Sequence, residues 1–141
     1  MRKLIIFCVI TIFTLLVSSC ASDEPKLELF NPEAFAFSLD EGWEINSSAN
    51  VKGIKHIQSE DEFSIQLSYH INLINPEFDT LEYADFGKIE KTNSEQFLDI
   101  PIESQIELNG TFPLGEYKIV FSVFDENSKQ SVSIETTVLI E

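Results

Sequence analysis

Basic residues, cysteine and glycine are scarce in this sequence, and each shortage removes a class of function. Nine lysines and arginines stand against 24 aspartates and glutamates, so a nucleic-acid backbone would be repelled. The five glycines are scattered, which excludes a phosphate-binding glycine loop. Two cysteines are too few for a framework of several disulfides. We therefore predict no nucleic-acid partner and no bound cofactor.

The N-terminus has the pattern of an export signal that ends in a lipid-attachment site. Arg2 and Lys3 precede an apolar run, residues 4–17, that is too short for a membrane-spanning helix. The next residues, Ser18-Ser19-Cys20, complete a motif that resembles the lipobox of bacterial lipoproteins. The resemblance implies cleavage between Ser19 and Cys20 and attachment of acyl chains such as palmitate to Cys20, which would anchor the protein in a membrane.

These motifs divide the chain into a signal peptide (1–19), a lipidated cysteine with a flexible tether (20–25) and one domain (26–141). Two of the nine basic residues belong to the signal peptide, so the mature chain keeps seven against 24 acidic residues, a net charge of −17. Because Cys8 is removed and Cys20 is acylated, no thiol remains for chemistry. The acidic tether resembles that of surface lipoproteins of Bacteroidota. We expect display on the outer membrane surface, with the periplasmic face as the alternative.

Apolar residues at every second position predict β-strands in the mature chain. The clearest are residues 62–73, 116–124 and 131–140, and a polar turn at 125–128 joins the last two into a hairpin. Weaker strands are predicted at residues 26–30, 34–38, 51–58 and 97–108, the last bent near Pro101. No helical period is sustained, and the 12 phenylalanines are expected to supply much of the core. The sequence therefore predicts an all-β sandwich.

Residues 114–119 (LGEYKI), with the strand and turn that follow, resemble the closing hairpin of immunoglobulin-like, cadherin-like and fibronectin-like domains. In those domains a tyrosine placed like Tyr117 bonds through its hydroxyl to upstream backbone. The order of segments over residues 25–141 resembles small Bacteroidota lipoproteins with one immunoglobulin-like (Ig-like) domain. The resemblance implies a single Ig-like antiparallel β-sandwich of about seven strands.

Catalytic and metal-binding groups are sparse. His56 and His70 are the only histidines, which excludes a three-histidine zinc site, and both are predicted to be exposed to solvent. The acidic clusters at residues 60–62 and 125–127 contain oxygen ligands that suit Ca²⁺. Neither has the spacing of an EF-hand, and solvated turns are the simpler interpretation. We predict no metal site, no catalytic residue and no enzymatic activity.

Residues 75–96 are too long for a plain connection and are predicted to form a recognition loop. Phe78, Tyr83 and Phe86 lie among acidic residues there. Their rings could stack on a sugar, anchor a protein partner, or simply seal one edge of the sandwich. The triplet Asp79-Thr80-Leu81 resembles the O-glycosylation motif of exported Bacteroidota proteins, which makes Thr80 a candidate modification site.

Two classes of function fit these observations. The first is a membrane-anchored, non-catalytic binding or structural module of the cell envelope with a protein or glycan partner. The alternative is a small carboxylate-based enzyme such as a glycan hydrolase, or a Ca²⁺-dependent adhesion module. A paired, partly buried aspartate and glutamate in a cleft would favour the enzyme, and dispersed acidic residues would favour the binding module.

Overall fold

The computed structural model describes residues 24–141, which form eight antiparallel β-strands. The strands are β1 (Glu28–Leu39), β2 (Gly42–Lys52), β3 (Ile57–Ser59), β4 (Glu62–Ile74), β5 (Thr80–Asn93), β6 (Asp99–Leu108), β7 (Gly115–Asp125) and β8 (Ser131–Ile140). Within these residues no helix is long and apolar enough to cross a membrane. The predicted signal peptide, including Ser19, and the predicted lipidation site Cys20 lie outside the described residues.

The strands are arranged in two sheets that enclose one core. The smaller sheet has three strands in the order β1-β2-β6. In the five-stranded sheet β4 is central, with β5 on one side and with β7 and the short β3 on the other, and β8 pairs with β7. Strand β1 also lies against β8 and brings the two sheets together at one side. The predicted all-β antiparallel sandwich is confirmed, with eight strands instead of about seven.

Isoleucine, and not phenylalanine, fills the core. Nine isoleucines are buried between the sheets, whereas Phe121 is the one buried phenylalanine in the described part of the chain. β-Branched side chains stand upright on a pleated strand and suit the narrow space between two sheets. On β1 the inward positions belong to Ala34 and Ala36, so Phe35 and Phe37 point outward and are 60% and 54% exposed. The prediction that phenylalanine supplies much of the core is wrong.

Three of the weaker predicted strands also need correction. The predicted strands at residues 26–30 and 34–38 both fall on the single strand β1, which begins at Glu28 and is interrupted by a bulge between Phe30 and Glu33. The predicted strand at residues 51–58 is not one strand, because β2 extends from Gly42 to Lys52 and the short β3 begins only at Ile57. Small inward-facing residues, Ser47 and Ala49, weaken the apolar alternation of β2 and conceal it in the sequence.

Tyr117 forms the corner that the resemblance implies. Its hydroxyl donates a 2.7 Å hydrogen bond to the carbonyl oxygen of Pro113, and its side chain is fully buried. Burial, followed by the nearby Glu77 carboxylate, raises the pKa of Tyr117 above its ordinary value. The corner therefore ties the connection between β6 and β7 to the core.

Candidate functional site

The predicted recognition loop at residues 75–96 is largely a strand. Residues 80–93 form β5, an edge strand of the five-stranded sheet, and only short turns precede and follow it. The apolar residues Leu81, Tyr83, Phe86 and Ile89 do not alternate regularly, so the sequence shows no strand signal. The loop prediction is wrong because a break in the pairing of β5 destroys the two-residue period.

That break is a β-bulge that reorients Tyr83. Leu81 pairs with Leu73, and Asp85 pairs with Ile71, so three residues of β5 lie opposite one residue of β4. In a regular strand Tyr83 would share the inward face of Leu81 and Asp85. Instead its φ is 53°, a left-handed conformation that is costly for a bulky residue. The bulge thus turns the tyrosine to the outer face of the sheet.

Asn72 holds the bulge in place. It is the β4 residue opposite the extra residues of β5, and its Oδ1 accepts a 2.9 Å hydrogen bond from the backbone N–H of Tyr83. An asparagine at this position satisfies the N–H that the bulge removes from the strand ladder. The strained backbone of Tyr83 is therefore stabilised by a specific side chain.

Three rings form a contiguous row on the outer face of this sheet. Phe86 lies opposite His70 in the register of β4 and β5. The ring centroids of His70 and Tyr83 are 4.7 Å apart, and those of Tyr83 and Phe86 are 6.3 Å apart in an edge-to-face arrangement. Tyr83 and Phe86 are exposed. We call His70, Tyr83 and Phe86 the aromatic row.

The aromatic row borders a groove of about 600 Å³, here called the outer groove. Hydroxyl side chains of three neighbouring strands also line it: Ser68, Ser122, Ser131 and Ser133. Phe124 lines the groove as well, and the Nζ of Lys129 lies 5.7 Å from the centre of its ring. The volume falls within the range of ordinary ligand sites, which combine apolar walls with a few polar groups.

Three of the four serine hydroxyls are held by hydrogen bonds within the domain. The Oγ atoms of Ser122 and Ser133 are 2.9 Å apart, and Ser68 donates to the Oε1 of Glu126. A hydroxyl has one donor and two acceptor sites, so each retains capacity for a ligand. Serine is also short, which leaves the backbone of the sheet open to close approach. The groove therefore presents oriented polar groups beneath exposed rings.

On the inner side of the same strands, Tyr69 crosses under β5. It pairs with Gly87, where an added Cβ would lie 2.9 Å from the tyrosine hydroxyl oxygen. Burial, followed by the Asp85 carboxylate, raises the pKa of Tyr69. Glycine at position 87 thus lets the tyrosine pack beneath the strand that carries Phe86.

The structure brings together two of the three predicted loop aromatics. Tyr83 and Phe86 meet in the aromatic row, but Phe78 lies in the turn before β5, where it is 87% exposed and does not line the outer groove. Asn75 shapes this turn, because its Oδ1 accepts the N–H groups of Glu77 and Asp79. Thr80 is the exposed first residue of β5.

The sequence predicts that both histidines are exposed to solvent, but in the structure each of them contacts an aromatic side chain. The Nε2 of His56 accepts a 3.0 Å hydrogen bond from the backbone N–H of Phe97, and the two rings stack with an interplanar angle of 5°. His56 therefore holds the segment before β6. His70 lies on the outer face, where the alternation of β4 places it, but no pattern in the sequence indicates its contact with Tyr83.

The acidic turn at residues 125–127 is not a solvated turn, because Asp125 is fully buried. Its Oδ2 accepts from the N–H of Lys55 at 2.9 Å and from the hydroxyl of Ser128 at 2.8 Å. Its Oδ1 accepts from the N–H of Asn127 at 2.9 Å. The carboxylate thus joins the β7–β8 turn to the chain after β2. In residues 24–141 no group of three or more histidine or acidic side chains could hold a metal ion.

Comparison with known proteins gives no family for the chain. No protein-family model and no curated protein sequence matches it. Among solved structures, one chain of a family 123 glycoside hydrolase from Clostridium perfringens is 12% identical with a TM-score of 0.49, over 76% of this chain and 22% of that chain. A structural genomics target is also 12% identical with a TM-score of 0.41, over 86% of this chain and 85% of its own. This protein therefore spans about a fifth of the length of the hydrolase chain.

Proposed function

We propose that this protein is a lipid-anchored, non-catalytic module of the bacterial cell envelope that binds a neutral glycan in the outer groove. The bulge in β5 is the observation that carries the proposal. It holds Tyr83 at a φ of 53° and so adds the tyrosine ring to His70 and Phe86 on one face. Backbone strain and bulges of this kind are concentrated where a side chain must be aimed at a ligand.

The chemistry of the groove fits a sugar ring. The face of an aromatic ring is electron-rich and attracts the weakly positive C–H groups on the face of a pyranose. The serine hydroxyls can both donate to and accept from sugar hydroxyls. The mature chain has a net charge of −17, which disfavours an anionic ligand. A protein partner would more often meet a raised apolar centre than a recessed floor of hydroxyls.

Two further observations support the remaining parts of the proposal. The basic start, short apolar run and lipobox-like residues before Cys20 support export and lipid anchoring. Asp125 is the one buried carboxylate of residues 24–141, and neighbouring donors already occupy both of its oxygens. A hydrolytic pair of carboxylates would need a second acid beside a cleft, so this geometry supports binding without catalysis.

The test begins with the purified mature lipoprotein on an array that holds both neutral oligosaccharides, namely glucans, mannans, xylans and galactans, and acidic polysaccharides. Calorimetry then measures the affinity for the retained glycan. Stacking of an aromatic side chain on a nucleic-acid base contributes about 1–3 kcal/mol, and with a similar contribution for a sugar ring Tyr83→Ala should weaken binding about 5- to 150-fold. Phe35→Ala is the matched control, because Phe35 is an equally exposed aromatic on the other sheet.

The proposal predicts that the control binds like the wild type. If Phe35→Ala abolished binding and Tyr83→Ala did not, the site would be on the other sheet. Retention of acidic polysaccharides alone would contradict a neutral ligand. Retention of no glycan at all would reject the proposed ligand class.

A further inference from the structure

Residues 24–27, which precede β1, are bound to one end of the sandwich by hydrogen bonds and an ion pair. The side chain of Gln130, in the β7–β8 turn, donates to the carbonyl oxygen of Pro25 at 2.9 Å and accepts from the N–H of Leu27 at 3.1 Å. The Nζ of Lys55 lies 2.6 Å from the carboxylate of Glu24, and Leu27 is buried in the core. These contacts fix the place at which the chain leaves the domain. We call the contacts of Gln130 and Lys55 with residues 24–27 the N-terminal clamp.

Gly53 allows this close contact. Its φ is 69°, and an added Cβ would lie 1.9 Å from the carbonyl oxygen of Lys26. Only a glycine can take this conformation beside that backbone. The clamp is thus built into the chain after β2 as well as into the β7–β8 turn.

Strand register shows which other segments share this end. Glu28 at the start of β1 pairs with Lys52 at the end of β2, which pairs with Asp99 at the start of β6. In the other sheet, Asp125 at the end of β7 pairs with Leu67, and β4 extends beyond it to the hairpin with β3. We call this end the base. The opposite end, the apex, carries the turns at residues 40–41, 75–79 and 109–114.

The clamp and the proposed anchor together restrict how the domain can sit on a membrane. Cys20 is four residues before Glu24, and four residues span at most about 14 Å. From Trp43 near the apex to Lys52 at the base, β2 advances nine residues, or about 30 Å. The link is therefore shorter than the sandwich, so while the clamp is closed the domain cannot turn its apex to the bilayer with the base pointing away from it.

One exposed apolar side chain lies at the base beside the clamp. Leu98 is 86% exposed and lines a shallow cavity of about 400 Å³ together with Pro25, Gly53 and Phe97. A single exposed leucine is common on a protein surface. Here it belongs to the end of the domain at which the proposed anchor joins the chain. The hairpin tip at residues 60–62 is acidic, which favours zwitterionic over anionic headgroups.

We infer that the base faces the membrane, that Leu98 contacts the zwitterionic headgroup layer, and that the apex points away from it. This inference rests on the lipid anchor of the proposed function and is independent of the glycan ligand. It places the outer groove on the side wall of the domain, because the groove lies on the outer face of a sheet whose strands run from base to apex. A long glycan could then pass the groove without meeting the bilayer.

Fluorescence quenching by lipid tests this orientation. Trp43 is the single tryptophan, so Trp43→Phe provides a background for one reporter at a time. Leu98→Trp reports on the base, and Phe78→Trp is the matched reporter at the apex, since both residues are almost fully exposed. Each lipidated variant is purified from membranes, its acylation is verified by intact mass, and it is placed in phosphatidylcholine vesicles with brominated acyl chains. Far-UV circular dichroism verifies the fold.

Brominated lipid should lower the emission of Leu98→Trp at least about two-fold, as for side chains that reach the headgroup and acyl boundary, and should leave Phe78→Trp unchanged. Equal quenching of both reporters, or quenching of Phe78→Trp alone, would overturn the orientation. No quenching of either, in protein that floats with the vesicles, would overturn the contact of the base. Protein that carries no acyl chain and does not float would reject the anchor itself, and with it the orientation.

Discussion

Replacing Asp125 by asparagine should destabilise the protein, although the two side chains have nearly the same shape. The carboxylate accepts hydrogen bonds from the N–H groups of Lys55 and Asn127 and from the hydroxyl of Ser128. An amide replaces one acceptor oxygen by a donor. In either orientation of the amide, its NH₂ group would face at least one backbone N–H.

The magnitude follows from the hydrogen bonds that the amide cannot accept. A buried N–H left facing a donor costs about 1–3 kcal/mol, and hydrogen bonds to a charged acceptor are about twice as strong as neutral ones. Together these effects give a loss of about 2–4 kcal/mol for Asp125→Asn. Asp125→Ala removes every acceptor, so two backbone N–H groups and one hydroxyl lose their partner, and it should cost about 3–5 kcal/mol.

Urea unfolding, followed by the emission of Trp43, measures these losses. With an m-value of about 1.5 kcal/mol per molar, a loss of about 3 kcal/mol lowers the midpoint by about 2 M. Asp61→Asn, the same change in the exposed β3–β4 turn, is the control and should shift stability by less than about 0.5 kcal/mol. If Asp125→Asn unfolded at the same urea concentration as Asp61→Asn, the reasoning about the buried carboxylate would be refuted.

Three further predictions concern the tyrosine corner, the bulge and the surface. Tyr117→Phe loses the bond to Pro113 and should cost about 1 kcal/mol. Because burial raises the pKa of Tyr117, the unfolded state ionises first, so wild-type stability holds below about pH 10 and falls above it. Urea midpoints should show a smaller alkaline loss in Tyr117→Phe. Asn72→Ala removes the acceptor of the Tyr83 N–H and should weaken glycan binding measured by calorimetry, although the tyrosine itself is unchanged. Unchanged affinity would contradict the role of the bulge in binding. Intact mass of native protein should show a glycan that is lost in Thr80→Ala, and an unglycosylated wild type would exclude this modification.

Much of the fold could be predicted from the sequence because most strands bury one face. The regular alternation of β4, β7 and β8 reflects inward residues such as Leu67, Phe121 and Ile140, and the prediction of these strands is confirmed. Strand β2 escaped prediction because Ser47 and Ala49 occupy inward positions without adding an apolar signal. The core itself was misassigned because composition counts phenylalanines but does not say which face of a strand they occupy.

The candidate site was only partly predictable, since it depends on pairing between strands. The sequence identified Tyr83 and Phe86 as candidates for recognition, but three residues apart they would face opposite sides of a regular strand. Their meeting depends on the bulge, which depends in turn on Asn72 in another strand. His70 and the serine hydroxyls join the groove through the register of four strands, which one sequence does not reveal. The burial of Asp125 was missed for a similar reason, because its donor Lys55 is 70 residues away.

The N-terminal clamp determines how a mechanical load would travel through the domain. The chain reaches the proposed anchor from β1, in the three-stranded sheet, whereas the outer groove lies on the five-stranded sheet. A pull on a bound glycan would therefore tend to draw the two sheets apart. Gln130 belongs to the β7–β8 turn and grips Pro25 and Leu27 directly, so part of the force passes from the five-stranded sheet to the anchor without crossing the core. The two hydrogen bonds of Gln130 at the base would thus carry part of the tension that otherwise acts on the packing between the sheets.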